Sequence, residues 1–253
     1  MSLARELRKL ADRLDTPSAA AARRLRIPLD RYRLFERVKS FADIRTVLDV
    51  GANQGEFARY AADCFPNANI HCFEPLPVCQ MQLKNLAARC SRIQIHSVAV
   101  GEEIGSVEMF ENDFAPSSSL LPMQDRHREL WPKTVSAKKI NVNMTTLDAV
   151  AAGAPFTGTI FLKLDVQGFE LNVLRGATQV LRQTAVAMME VLFEPLYEGQ
   201  ADFRDLLNFM ADQDFRFIEF ADERRLPPLG KLVYADGVFL NEQLASLRHA
   251  PDK

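Results

Sequence analysis

The segment Val47-Leu48-Asp49-Val50-Gly51-Ala52-Asn53-Gln54-Gly55 reads as a short apolar strand, a tight turn and the start of a helix. Glycines at 51 and 55 permit backbone conformations that a β-carbon would block, so a ligand can lie against the turn. The helix that begins after Gly55 points free N–H groups into it. Asp49, near the strand's carboxyl end, can receive a positively charged group of that ligand. A second acid, Glu74, follows strand 69–73 and precedes Pro75, 23 residues after Gly51. A carboxylate there can accept hydrogen bonds from both hydroxyls of a ribose. A third acid, Asp165, closes another apolar strand in Lys163-Leu164-Asp165-Val166-Gln167-Gly168-Phe169-Glu170. If strand 46–50 neighbours strand 159–164, Asp165 faces the ligand's reactive end; it can equally cap the helix that follows, a role worth about 1 kcal/mol. For a base that removes an acceptor's proton, Asp165 is the first candidate and Glu190, at the end of strand 185–191, the second. His96 and His127 rank behind them, because a lone histidine is more often structural.

Glycine spacing separates two ligand classes. A dinucleotide turn takes G-x-G-x-x-G with a pyrophosphate at the helix N-terminus. Counted from Gly51, glycine would be needed at 53 and 56, where the chain has Asn53 and Glu56. Glu56 at the helix entrance would also repel a pyrophosphate. A nicotinamide-dependent oxidoreductase is therefore disfavoured. The Gly51 to Gly55 spacing is instead similar to the turn with which S-adenosylmethionine enzymes hold the methionine half of their cofactor. That ligand carries a carboxylate, an ammonium and a sulfonium but no phosphate, so Asp49 and Glu56 are tolerable beside it.

The elements that must position these residues alternate. Strands are predicted at Thr46–Val50, Asn69–Phe73, Ile93–Val98, Thr159–Leu164 and Ala185–Val191, and helices at Glu56–Cys64, Val78–Arg89, Leu147–Ala152, Phe169–Leu174 and Phe203–Asp212. Runs such as Ile160-Phe161-Leu162 are apolar without alternation, as parallel strands covered on both faces require. The expected architecture is α/β, a Rossmann-like, mostly parallel seven-stranded sheet. Phe215–Phe220 and Leu232–Leu240, joined by Pro227-Pro228-Leu229-Gly230, read as a C-terminal antiparallel pair. Residues 101–145 have another texture: Gly105–Glu111 and Lys138–Met144 alternate like antiparallel strands, with Ser117, Ser118, Ser119 and Trp131 between them. This is an insertion on the sheet's rim, where substrate-specific segments sit, and its serines and Trp131 are expected to shape an acceptor pocket.

With 253 residues, 47% hydrophobic and 25% charged, the chain excludes disorder, collagen and low complexity. No apolar run approaches the roughly 20 residues that span a bilayer. The charged N-terminus, MSLARELRKLADRL, lacks an apolar signal core, so the expected location is the cytoplasm. Residues 1–43 form a helical basic extension and 44–245 the main domain. The first 40 residues carry a net charge of +6 and the rest −8. Leu3, Leu7, Leu10 and Leu14 make one helical stripe. It packs on the chain itself or on a second subunit in a homo-oligomer, in preference to an anionic membrane surface, since no aromatic residue anchors it. A second short helix, Ala19–Arg26, ends at Ile27-Pro28. Cys64, Cys72, Cys79 and Cys90 lack the tight pairs of a zinc site even with His71 or His96 added, and read as buried reduced thiols, with no metal.

DVGANQGEF, FEPLP, the serine loop, TTLD, LKLDVQGFELNVLRGA and MMEVLFEPLYEG together resemble the FkbM-type S-adenosylmethionine methyltransferases, in order from about Ile44 to Asn241. The resemblance implies a Rossmann-like methyltransferase fold with a final antiparallel strand. It also implies O-methylation of a hydroxyl on a sugar, glycolipid or other natural-product scaffold. Carried over, the cofactor positions are Gly51, Asn53, Gly55 and Glu74, with Ser97 and Ala99 at the 96–99 strand end beside the adenine. The family usually has D-V-E-G where this chain has Asp165-Val166-Gln167-Gly168. Gln167 keeps the shape and reach but not the charge; with Glu170 it is placed on the substrate side. A non-catalytic protein that keeps the cofactor pocket is the alternative this substitution leaves. No nucleic-acid partner is expected: there is no Asn-Pro-Pro-Tyr-type base-flipping motif, and an acidic body repels phosphates.

Overall fold

A computed structural model describes residues 17–134 and 137–245. Two helices, α1 (Pro17–Leu25) and α2 (Leu29–Phe41), precede β1 (Ile44–Val50), α3 (Glu56–Cys64), β2 (Asn69–Phe73), α4 (Pro77–Ala87) and β3 (Ile93–His96). Then come β4 (Ala99–Val100), β5 (Gly105–Asn112), α5 (Asp125–Leu130), β6 (Ala137–Thr145), α6 (Leu147–Gly153) and β7 (Thr159–Leu164). The chain continues with α7 (Glu170–Arg175), α8 (Thr178–Leu181), β8 (Thr184–Leu192), α9 (Phe203–Asp212), β9 (Phe215–Leu226), β10 (Lys231–Asn241) and α10 (Glu242–Ala245).

Seven strands form one sheet in the order β3-β2-β1-β7-β8-β10-β9. Pairings from β3 to β8 are parallel, while β10 runs antiparallel to both β8 and β9. The expected seven-stranded, mostly parallel sheet with an antiparallel C-terminal strand is the observed one. Order reverses between β1 and β7, where the crevice outside the strand ends can take a ligand. Every residue of β1 except Arg45 is buried, because both sheet faces are covered. On one face α2 lays Phe35 against Phe57, Phe65 and Phe161, with ring centroids 5.3, 5.4 and 6.2 Å apart. On the other, Leu48, Leu162 and Phe239 pack with Leu174 and Val180 from α7 and α8.

The N-terminal helices thus share the sheet's own core. Part of their positive charge is spent within the chain: Arg31 pairs with Asp222 at 3.0 Å and Asp236 at 3.1 Å, and Arg37 with Glu219 at 2.7 Å. The leucine stripe at 3–14 lies outside the described residues.

Residues 101–145 build the rim insertion as a separate three-stranded sheet, β4-β6-β5. β5 and β6 pair antiparallel from Gly105↔Met144 to Asn112↔Ala137. Two strand ends differ most from the sequence reading. Strand 93–98 stops at His96, since Ala99–Val100 leaves the main sheet to pair with β6. β9 runs to Leu226 rather than Phe220, because its exposed Glu223, Arg224 and Arg225 continue a ladder with β10 that extends beyond the sheet into solvent. Helix α2 carries only four buried side chains, Tyr32, Leu34, Phe35 and Val38, amid charged residues. All four thiols are free, and Cys64, Cys72 and Cys79 are buried. No helix among the described residues is long and apolar enough to cross a membrane.

Candidate active site

The turns that leave β1 and β7 lie side by side, because Val50 pairs with Leu164 and the Asp165 N–H donates to the Val50 carbonyl at 3.0 Å. A cavity of about 290 Å³ opens there, lined by Gly51, Asn53, Glu74, Ala99, Asp165, Gln167 and Glu190, and on the insertion side by Ser117, Ser118, Ser119, His127 and Trp131. The chain therefore brings together residues from positions 51 to 190.

The two glycines serve the chain more than the ligand. A Cβ on Gly51, at φ +74°, would sit 1.9 Å from the Asp165 carbonyl oxygen; one on Gly55, at φ +84°, would meet Leu83 Cδ2 at 2.8 Å. Gly51 lets adjacent turns approach, and Gly55 seats α3 against α4. Only Gly51 reaches the cavity. Asn53 lines it in a left-handed conformation, at φ 47°, which favours an asparagine among non-glycine residues.

Asp49 was expected to meet a ligand cation, and the structure corrects this. It is fully buried beneath the turn and paired with Lys163 Nζ at 3.0 Å. Lys163 also donates to the Gly51 carbonyl at 2.9 Å. Burial pulls the Lys163 pKa down, but the charges of Asp49 and Asp165 outweigh it and hold the ammonium charged. Ser97 is exposed and outside the cavity; where β3 ends early, Val98 and Ala99 line the wall instead.

Glu74 is 5% exposed and held from both sides. Its Oε2 accepts from the Asn53 N–H and its Oε1 from the Leu76 N–H, each at 2.8 Å. Burial raises its pKa and those two bonds oppose the rise. Each oxygen retains a lone pair for the cavity.

Across the cavity stand Asp165 and Glu190. β7 and β8 are parallel with Leu164 opposite Met189, so the next residues, Asp165 and Glu190, stand level. One nitrogen, Gln167 Nε2, donates to Asp165 Oδ1 at 2.9 Å and to Glu190 Oε2 at 2.8 Å. The buried hydroxyl of Tyr197 donates to Gln167 Oε1 at 2.7 Å. Tyr197 lies in the MMEVLFEPLYEG stretch, but nothing in its spacing reveals this partner. Glu190 lines the cavity, and burial together with Asp165, Glu170 and Asp236 lifts its carboxyl well above the ordinary range. Asp165 Oδ2 lies 3.6 Å from Lys163 Nζ.

Glu170 does not reach the cavity, contrary to its placement on the substrate side. It is buried, its Oε1 accepts from the Val166 N–H at 3.0 Å, and burial lifts its pKa to about 7. Its role is to brace the 165–169 turn. The serine loop lines the cavity, but two hydroxyls are engaged in the fold: Ser118 Oγ accepts from the Asn112 N–H at 2.9 Å, and Ser119 Oγ donates to the Gln167 carbonyl at 2.8 Å. Trp131 stacks near His127 and Tyr234, at centroid distances of 4.8 and 6.3 Å. His96 lies outside the cavity against Phe73 and His71. His127 reaches it but is buried, with its pKa lowered by that burial. Phe114 and Tyr234 also line the cavity and were not foreseen.

Comparison with known proteins places the chain in a family. Residues 49–217 match the methyltransferase FkbM domain. The chain is 25% identical over 226 residues to the 2-O-methyltransferase NoeI of Sinorhizobium fredii, covering 83% of this chain and 85% of that protein. It is 27% identical over 157 residues to methyltransferase 1 of Beauveria bassiana, covering 55% of this chain and 61% of that one. Among solved structures, methyltransferase FkbM from Methylobacillus flagellatus superposes with a TM-score of 0.50 at 18% identity, over 79% of this chain and 44% of that chain. The chain thus spans most of one relative and about half of the others. The FkbM match covers about two thirds of the sequence, in the order sheet, crevice and insertion require, and the chain belongs to the FkbM family of S-adenosylmethionine-dependent methyltransferases.

Proposed function

We propose that the chain is an O-methyltransferase acting on a hydroxyl of a sugar, glycolipid or related natural-product scaffold. The observation that carries this reading is the carboxylate pair Asp165 and Glu190, joined through Gln167 in the same cavity as Glu74. The family's cofactor fits that cavity. Among the described residues its wall holds three carboxylates and neither lysine nor arginine, which suits a cationic ligand without phosphate and would repel a pyrophosphate. Glu74, fixed by two backbone N–H groups, is set to accept ribose hydroxyls, and Gly51 and Asn53 form the floor beside it.

When bound, S-adenosylmethionine supplies a methyl group already activated on a sulfonium. What the chain must add is orientation, worth up to about 7–11 kcal/mol for aligned reactants, and a proton acceptor, worth about 10²–10⁴-fold. Glu190 takes the hydroxyl proton in preference to Asp165. Burial raises its affinity for a proton, which strengthens a base, and Oε1 is left free by Gln167. Asp165, facing both Gln167 and Lys163, orients the acceptor. Phe114, Trp131 and Tyr234 offer flat apolar surface for the carbon face of a ring. The name of NoeI, a 2-O-methyltransferase, supports a hydroxyl acceptor.

The test is transfer of tritiated methyl from S-adenosylmethionine to a panel of glycosides and to extracts of the source cells. Label that survives alkali and is recovered as an O-methyl sugar by mass spectrometry marks a methyl ether and supports the reading. Label released as methanol marks an ester and refutes it. Cofactor binding with no transfer to any acceptor would favour a non-catalytic cofactor-binding protein.

A further inference from the structure

Two carboxylates that reach one common atom repel each other unless a cation, a proton or a donor lies between them. Here the atom is Gln167 Nε2, 2.9 Å from Asp165 Oδ1 and 2.8 Å from Glu190 Oε2. The nearest ammonium, Lys163 Nζ, reaches only Asp165, at 3.6 Å. We propose that Gln167 is a positioning residue whose side-chain amide, one N–H to each acid, takes the place of a cation between Asp165 and Glu190 and keeps the pair together and correctly aimed.

The amide has only one workable sense. Its Oε1 accepts from Tyr197 at 2.7 Å, and a flip would turn that oxygen onto two carboxylates while leaving the Tyr197 hydroxyl against an NH₂ group. The backbone is fixed as well. Gln167 sits at φ 55° and Gly168 at φ 95°, an arrangement that persists only where its surroundings over-determine it. Ser119 Oγ binds the Gln167 carbonyl at 2.8 Å, and a Cβ at Gly168 would press on Tyr197 and Gln200 at 3.2–3.3 Å. The groups facing Glu190 come from every side: Lys163 from β7, Asp165 from the turn after it, Glu170 from α7, and Asp236 from β10, itself held by Arg31 of α2 at 3.1 Å. Burial raises the pKa values of Tyr197 and Tyr234, and Glu190 stands close enough to add to the rise. Among these groups Gln167 alone donates to both members of the pair.

The inference rests on the O-methylation reading for its consequence in turnover, but its physical content is testable without turnover. The full chain, Q167E and Y197F are compared by ¹³C-carboxyl titration of Glu190, by calorimetric binding of S-adenosylhomocysteine, and by the pH profile of kcat. In Q167E a third carboxylate replaces the donor, so the Glu190 titration moves up by at least about one pH unit. At pH 7 kcat falls at least about tenfold and recovers at higher pH or with added Mg²⁺ or Mn²⁺. KM and S-adenosylhomocysteine affinity change less than about threefold, since binding groups are untouched. Y197F frees the amide to rotate and moves the same readouts in the same direction, less far; it decides the matter should Q167E not fold. A Glu190 titration unmoved in the folded variants overturns the inference whatever the turnover. A moved titration with no hydroxyl methylated by the wild-type chain would overturn the O-methylation reading and leave the amide's role standing.

Discussion

Replacing Glu170 with glutamine tests the electrostatics beneath the site, because this acid is buried, outside the cavity, and responsible for the Val166 N–H. Burial lifts its pKa from 4.5 to about 7. A carboxyl whose folded pKa is raised contributes stability that is complete below its unfolded pKa and is lost as pH climbs through the folded value. Between pH 4.5 and 7 the unfolded chain therefore releases a proton that the folded one keeps, and stability declines; above 7 the penalty levels off. A shift of about 2.5 units at 1.36 kcal/mol each gives a full penalty of about 3 kcal/mol, of which about 2.5 kcal/mol falls between pH 5 and pH 8. E170Q cannot ionise. Its amide also places N–H groups where the carboxylate accepted from the backbone, at a cost of about 1–3 kcal/mol that does not vary with pH. The observable is thus the difference between the two proteins as a function of pH, not its absolute value. Urea unfolding at pH 5, 6, 7 and 8 should show E170Q gaining about 2.5 kcal/mol on the wild type across that range. A difference that stays flat with pH would refute the argument that Glu170 is held protonated by burial.

Glu190→Gln should lower kcat by about 10²–10⁴-fold while leaving S-adenosylhomocysteine affinity within a few-fold by calorimetry, whereas loss of affinity with intact kcat would place Glu190 on the cofactor instead. Glu74→Gln should weaken that affinity by roughly tenfold to a hundredfold, since a charged acceptor of hydrogen bonds is worth about 1.5–3 kcal/mol. Gly51→Ala forces a Cβ to within 1.9 Å of the Asp165 carbonyl oxygen at φ +74°; it should cost on the order of 3 kcal/mol in thermal or urea unfolding, and a fully stable variant would mean that the two turns part easily. S-adenosylhomocysteine should raise the melting temperature where NADH does not, because no lysine or arginine among the described residues lines the cavity to meet a pyrophosphate.

The parallel sheet was legible because its strands carry apolar runs without alternation, and Asn69–Phe73 and Thr159–Leu164 have the boundaries their sequences suggest. Glu74 and Asp165 were legible because strand ends at a switch point face a crevice whatever the ligand. Asp49 and Glu170 look the same in sequence and are not in the cavity. Whether an acid at a strand end faces solvent or core depends on a residue far away, here Lys163 beneath β1, and periodicity carries no such information. The glycine turn was read correctly for its backbone and incompletely for its cause: Leu83 and the Asp165 carbonyl, distant in sequence, forbid the β-carbons. Tyr197 and Gln167 lie 30 residues apart and meet only because β8 brings the following loop back over the 165–169 turn. Helix α2 shows few apolar positions, and its burial is decided by the aromatic cluster around Phe161.

The placement of charge explains how one cavity holds several acids and remains intact. Asp49, Asp165 and Glu190 are gathered near the ends of β1, β7 and β8, with Asp236 of β10 opposite Glu190, and burial raises Asp236 to about 6 even with Arg31 at 3.1 Å opposing the rise. The positive groups that hold this cluster, Lys163 and Arg31, stand outside the lining, under Asp49 and behind Asp236. Cations in the wall itself would quench the carboxylates and repel a sulfonium; cations one layer back keep the acids folded in place while leaving the cavity negative. The remaining repulsion, between the two acids that face each other, is met by the neutral amide of Gln167. Arg31 reaches this cluster from a helix that precedes the sheet, which makes that helix part of the site's electrostatics as well as of the core.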